Sequence, residues 1–194
     1  MNVSKSFLNL KKNTLEKLDK SPKGSIDERI INLCNIVNLR KDMFTLSTCS
    51  GRVCVLEKSK GKKDARWLYT THHFADLNDI WKVLSNYSGN KFIEFRQESS
   101  IIHVAAADID VAKKIMHAGK MASFNIVGII GISSKVTVEL ICDVQLLAPV
   151  YDKGELLVDK NYVSYLVEKA NQNQKISWSS IEKLEKNIKE FDLN

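Results

Sequence analysis

With 194 residues, 44% of them apolar, the chain can bury a sizeable core and needs no covalent cross-links to do so. Its 29 basic and 23 acidic residues leave a formal charge of +6, a balance that permits a polyanionic partner without establishing one. No apolar run approaches the roughly 18 residues of a spanning helix, and no apolar leader follows the N-terminal lysines, so no membrane partner and a cytoplasmic location are expected.

Residues 5–19 carry Phe7, Leu8, Leu10, Leu15 and Leu18 at helical spacing and predict an amphipathic helix, which Ser21-Pro22-Lys23-Gly24 breaks. Ser25 reads as the next N-cap, with Glu28 completing a capping box. Ile26, Ile30, Ile31, Leu33, Cys34 and Val37 supply that helix's apolar face. Strands are expected at 43–48, 52–57 and 65–71, the last two forming a hairpin around the basic tip 58–63. Asp76 predicts a cap for a helix reaching about Ser85. Strands follow at 91–97 and 100–106. Asp108 then caps a helix that Gly119 ends as a C′ glycine. Strands at 124–131 and 135–147 precede a helical region over 160–191, interrupted near Asn171–Lys175 and recapped by Ser177. Helices alternate with pairs of strands. The expected fold class is therefore α+β, one compact unit over 1–194, with largely antiparallel or mixed sheet and flanking helices rather than a doubly wound parallel sheet.

Chemistry concentrates at Thr48-Cys49-Ser50-Gly51-Arg52, between two apolar strands. Small residues let a backbone approach a ligand, successive N–H groups can form a concave anion site, and Gly51 permits positive φ. Arg52 adds a planar fork for a carboxylate or phosphate. Cys49 has no paired base nearby in sequence, so it is not read as a nucleophile. His72, His73 and His103 could accept protons near neutrality, and no carboxylate spacing supports a metal. Four scattered cysteines form no C-x-x-C pair and are expected as free thiols. Lys58, Lys60, Lys62, Lys63 and Arg66 make a dense positive tip, and Trp67 and Tyr69 beside it could stack on a base. Gly128-Ile-Ile-Gly131 lacks the spacing of a dinucleotide fingerprint.

Ser-Pro-Lys-Gly-Ser-Ile-Asp-Glu (21–28), Thr-Cys-Ser-Gly-Arg (48–52), Trp67 with Thr71-His72, His103-Val104, Ala118-Gly119, Lys153-Gly-Glu-Leu-Leu-Val158, Tyr162 and Ala170-Asn171 occur in that order. Together they resemble the tRNA wybutosine-synthesizing protein 3 family over nearly the whole chain. The resemblance implies an S-adenosylmethionine-dependent tRNA methyltransferase of non-Rossmann fold. Its substrate would be the tricyclic wyosine precursor at position 37 of phenylalanine tRNA, methylated on N4. By position it implies donor binding at Thr48, Cys49, Ser50, Gly51 and Arg52, and catalysis by His72 and His103. It further implies substrate contacts at Lys23, Ser25 and Asp27. The basic tip (Lys60, Lys62, Lys63) and Trp67 are expected to hold the anticodon stem-loop. Ile141-Cys142-Asp143 and Gly119-Lys-Met-Ala-Ser123-Phe depart from the family's usual residues. The rival reading is a non-catalytic RNA-binding module using the same charge and Trp67.

Overall fold

A computed structural model describes residues 3–16, 26–58 and 65–192. Among them the elements are α1 (Lys5–Leu15), α2 (Glu28–Leu39), β1 (Met43–Cys49), β2 (Arg52–Glu57), β3 (Arg66–Thr71), α3 (Leu77–Ser85), β4 (Ile93–Glu98), β5 (Ile101–Ala106), α4 (Ile109–Met121), β6 (Ile126–Ile132), β7 (Val136–Ile141), β8 (Leu146–Asp152), β9 (Glu155–Leu156) and α5 (Lys160–Lys189). Every strand pairing among the described residues is antiparallel, as the alternation of helices with strand pairs predicts.

The chain divides into two compact units that interleave in sequence. The first takes the chain up to Ser50, then Ser100–Asp143, then everything from Ser177. The second takes Gly51–Ser99 and Val144–Ile176. Residues of α5 are therefore shared, its first seventeen (160–176) with the second unit and the remainder with the first.

In the first unit the sheet order is β1-β5-β7-β6. Val136, Val138 and Leu140 of β7 are buried while Thr137, Glu139 and Ile141 are partly exposed, the period of two expected for a sheet covered on one face. Helix α4 lies on this face, where Gly119 is required for close approach: a Cβ there would sit 2.7 Å from Leu140 Cδ2. The glycine is thus helical, not the C′ residue that the sequence suggested. The helix ends two residues later in a Schellman motif. Phe124 N–H bonds Gly119 O (2.9 Å), Ser123 N–H bonds Lys120 O (3.0 Å), and Ser123 takes φ +68°. Phe7 of α1 packs on Phe44 of β1 with ring centroids 5.3 Å apart. Of the apolar set predicted for α1 only Phe7 is buried; Leu8 and Leu15 are exposed, and Leu18 lies outside the described residues. Helix α2 starts at Glu28 with Asp27 at its N-cap; Ser25, on which the predicted capping box rests, lies outside the described residues.

In the second unit the order is β3-β2-β4-β8-β9. Interior strand β2 is buried from Val53 to Glu57. Val53, Val55, Ile93, Phe95, Ala148 and Val150 meet Ile80 and Leu84 of α3 and Val163, Leu166 and Val167 of α5 in one core. Each Val, Leu, Ile or Phe side chain among them contributes roughly 1.5–3 kcal/mol when fully buried. Asp76 caps α3 by accepting from Asn78 and Asp79 N–H, and Asp108 caps α4 by accepting from Val111 N–H, both as predicted.

Two further expectations fail. The predicted strand 135–147 is two strands, β7 and β8, broken at 142–145 where Asp143 adopts φ +52°. The predicted interruption of the last helix does not occur: α5 runs unbroken through Asn171–Lys175, and Ser177 is a buried interior residue, not a cap. Asn171 explains why. Its side chain accepts from Ala75 N–H (2.8 Å) and donates to Ala75 O (3.0 Å), so it bonds a neighbouring segment instead of competing with its own helix.

Candidate functional site

The segment 48–52 contains the end of β1, a turn and the start of β2. It is not a hairpin turn, since β1 pairs with β5 while β2 pairs with β3 and β4. Its first three residues belong to the first unit. Ser50 is fully buried, and both its N–H (3.0 Å) and its Oγ–H (3.1 Å) donate to Oδ2 of Asp27. Asp27, itself 7% exposed, makes no side-chain bond to the N–H groups of the helix it begins. Its carboxylate fixes the Ser50 turn instead. Thr48 Oγ1 lies 3.7 Å from Cys34 Sγ, and burial pushes the Cys34 thiol up, which leaves it an inert neutral group.

Gly51 and Arg52 open the second unit. Gly51 has φ +94°, the conformation its lack of a Cβ allows. Its carbonyl oxygen lies 3.0 Å from His72 Nδ1. A carbonyl can only accept, so Nδ1 carries a proton and donates it to Gly51 O. Arg52 is held from two sides. Its Nε donates to Glu98 Oε2 at 2.6 Å, directly across the β2–β4 pair, and its guanidinium lies 4.4 Å from the centroid of Trp67. Trp67 is 42% exposed, so it is not a core residue. Cys54, on the same strand as Arg52, is buried and its thiol is pushed up to about 12, by desolvation first and Glu98 second.

His103 belongs to the first unit. It stands in β5 opposite Glu139 of β7, with Nε2 2.7 Å from Glu139 Oε2. Within the second unit the structure brings together Gly51, Arg52, Trp67 and His72; within the first it brings together Asp27, Thr48 and Ser50 through their neighbours, with His103 on the central strands. Lys23, Ser25, Lys60, Lys62 and Lys63 lie outside the described residues. Lys58, the first lysine of the basic tip, bonds Glu94 Oε1 at 2.7 Å. Sequence reasoning missed Glu98 and Glu139. The alternation Glu94-Arg96-Glu98 signals one polar strand face, but only the register reveals which partner each meets.

Beside this face Glu57 accepts from the Tyr87 hydroxyl (2.8 Å) and from Lys91 (3.0 Å), and these bonds hold its carboxyl below the ordinary value of 4.5. Glu94 is also held low: burial pushes it up, but bonds from Lys58 and Arg96 outweigh burial. A depressed carboxyl stabilises the fold above its unfolded pKa, and that stability is lost as pH falls through the folded value. Melting temperature is therefore expected to be flat near neutrality and to fall below about pH 4.5. Glu57→Gln should start lower at pH 7 and lose less on acidification. An identical pH slope in the variant would remove Glu57 from the account.

An α+β chain of two antiparallel sheets does not have the Rossmann fold. A family model described as Methyltransferase TYW3 matches residues 9–190, and the chain belongs to that family. It is 35% identical over 178 residues to the Methanocaldococcus jannaschii protein named tRNA(Phe) 7-((3-amino-3-carboxypropyl)-4-demethylwyosine(37)-N(4))-methyltransferase, covering 87% of this chain and 90% of that one. It is 30% identical over 190 residues to the human tRNA wybutosine-synthesizing protein 3 homolog, covering 94% and 72%. The solved structure of PH1069 from Pyrococcus horikoshii superposes with a TM-score of 0.87 at 29% identity, over 97% of this chain and 98% of that one.

Proposed function

We propose that this chain transfers a methyl group from S-adenosylmethionine to N4 of the tricyclic wyosine precursor at position 37 of phenylalanine tRNA. The observation that carries this reading is the near full-length similarity to the Methanocaldococcus jannaschii enzyme. The whole chain is taken to act as one catalytic domain, because the family model spans residues of both units. No helix among the described residues is long and apolar enough to cross a membrane, and we place the enzyme in the cytoplasm with its tRNA.

The residues present suit the donor. Its amino-acid end is a zwitterion, and the 48–52 segment offers a glycine turn that permits close approach and the cation of Arg52. When bound, the donor supplies an electrophilic methyl on a sulfonium for in-line displacement. Asp27 contributes by fixing Ser50, so that the turn is organised before binding and little entropy is lost on alignment. His72, whose ring is oriented by the bond from Nδ1 to the Gly51 carbonyl, is assigned the proton that the target nitrogen releases as the new N–C bond forms. His103, bonded to Glu139, is given a positioning role. The basic tip holds tRNA phosphates and sets register without reading bases.

The test is incubation of the protein with labelled donor and bulk tRNA from a strain lacking its gene, followed by nucleoside analysis. One added methyl on the tricyclic nucleoside is expected. If tRNA binds but S-adenosylmethionine produces neither heat in calorimetry nor a thermal shift, the chain is the non-catalytic RNA-binding module instead.

A further inference from the structure

Helix α5 buries Val163, Leu166, Val167 and Ala170 in the core of the second unit. Its opposite face over 160–176 carries Tyr162, Tyr165 and Lys169, which share one side at spacings of three and four residues. Tyr162 is 47% and Tyr165 53% exposed, so core packing accounts for neither ring. The rings are nonetheless arranged. Their centroids are 6.4 Å apart with planes 25° from parallel, and Lys169 Nζ lies 5.4 Å from the centre of the Tyr165 ring. Asp159 accepts from Tyr162 N–H (2.8 Å), which fixes the start of the helix that carries them.

Lys169 Nζ donates to Gln172 Oε1 (3.2 Å), a neutral acceptor that leaves the positive charge in place. Glu168, the one acidic residue within 160–176, accepts instead from Gln172 Nε2 (2.9 Å). Three lysines, Lys160, Lys169 and Lys175, outweigh it over the same stretch. Lys175 lies 5.7 Å from the centre of the Phe74 ring, which is itself 45% exposed. Two exposed pairs of a ring with a lysine thus follow one another along this half of α5.

We propose that this face of α5 binds unpaired nucleotides of the tRNA substrate, with Tyr162 and Tyr165 stacking on bases and Lys169 meeting the phosphate beside them. An unstacked base has an apolar face and an anionic phosphate next to it, and exposed rings with adjoining lysines supply both counterparts. An acidic peptide would use the lysines but not the rings, and an apolar partner would use the rings but press against the lysines. The inference rests on the methyltransferase reading, which brings tRNA to the protein, and it adds contacts outside the 48–52 segment and the basic tip.

Two measurements test it. Ultraviolet cross-linking of the wild-type protein to the anticodon stem-loop RNA of phenylalanine tRNA is expected to attach a nucleotide to the tryptic peptide 161–169, which holds both tyrosines. Tyr162→Ala and Tyr165→Ala, each at an exposed position, should melt within about 2 °C of wild type. Both should bind S-adenosylhomocysteine as wild type does, while affinity for the stem-loop falls roughly tenfold. Tyr165→Phe keeps the ring and should keep the affinity. Lys169→Gln should reduce the slope of log affinity against log salt by about 0.7. If the stem-loop binds, but no cross-link reaches this peptide and no variant changes its affinity, the inference is overturned and the methyltransferase reading stands. If the variants change the sedimentation of the protein alone and leave RNA binding intact, the face joins copies of the chain and the inference is likewise overturned. If the wild type binds no tRNA, both fall.

Discussion

Asp27→Ala is expected to lower stability by about 2 kcal/mol, equivalent to roughly 4–8 °C in melting temperature for a chain of this size, and to abolish donor binding. The reason is the asymmetry of buried hydrogen bonds. Asp27 accepts twice from Ser50, which is fully buried, so its removal leaves an N–H and a hydroxyl without their acceptor. Removing a buried carboxylate also relieves a desolvation cost, which keeps the figure below the sum of two charged hydrogen bonds. Ser50→Ala is the control. It deletes the hydroxyl but keeps the backbone bond to Asp27, and should cost only about 1 kcal/mol. Thermal melts give the stability term, and calorimetry with S-adenosylhomocysteine gives the binding term. An Asp27→Ala protein that binds the donor analogue normally would show that the Ser50 turn is a structural corner and not part of the site.

Arg52→Ala separates chemistry from stability in the opposite proportion. Its pair with Glu98 is one-third exposed on both sides, so solvent screening holds its worth to about 1 kcal/mol or less, and stacking on Trp67 adds about 0.5–1 kcal/mol. The fold should survive with a small shift in melting temperature. Methyl transfer should fall about 100-fold or more, because the guanidinium adjoining the Gly51 turn aligns an anionic group during reaction. Arg52→Lys retains the charge but neither the fork nor the flat stacking surface, and is expected not to rescue. Affinities for S-adenosylhomocysteine and for tRNA, measured separately, tell which anion is held. Activity within tenfold of wild type in the alanine variant would assign Arg52 to sheet structure alone.

Local signals in the sequence were good guides where the controlling interaction is itself local. Strand β2 falls on its predicted residues, and Asp76 and Asp108 cap the helices they were expected to cap. The errors arose where tertiary contacts decide. Gly119 looks like a helix end, yet it is helical because α4 must approach Leu140 closely. The run Asn171–Lys175 looks like a helix break until Ala75 is seen to engage Asn171. The 135–147 run is apolar enough to hide the turn that Asp143 makes. The candidate site behaves in the same way. Its motif at 48–52 was visible, but Asp27, Glu98 and Glu139 meet their partners across 23, 46 and 36 residues of sequence, and only the tertiary fold fixes such pairs.

The shared helix α5 has a consequence for biosynthesis. Domains commonly fold in order as the N-terminal part leaves the ribosome. Here the second unit takes core residues Val163, Leu166 and Val167 from α5, and the first takes Ile181, Leu184 and Ile188 from the same helix. Neither core is complete until its part of α5 has been made. Folding of both units therefore waits on this helix, and a truncation within its first half removes packing from both units at once.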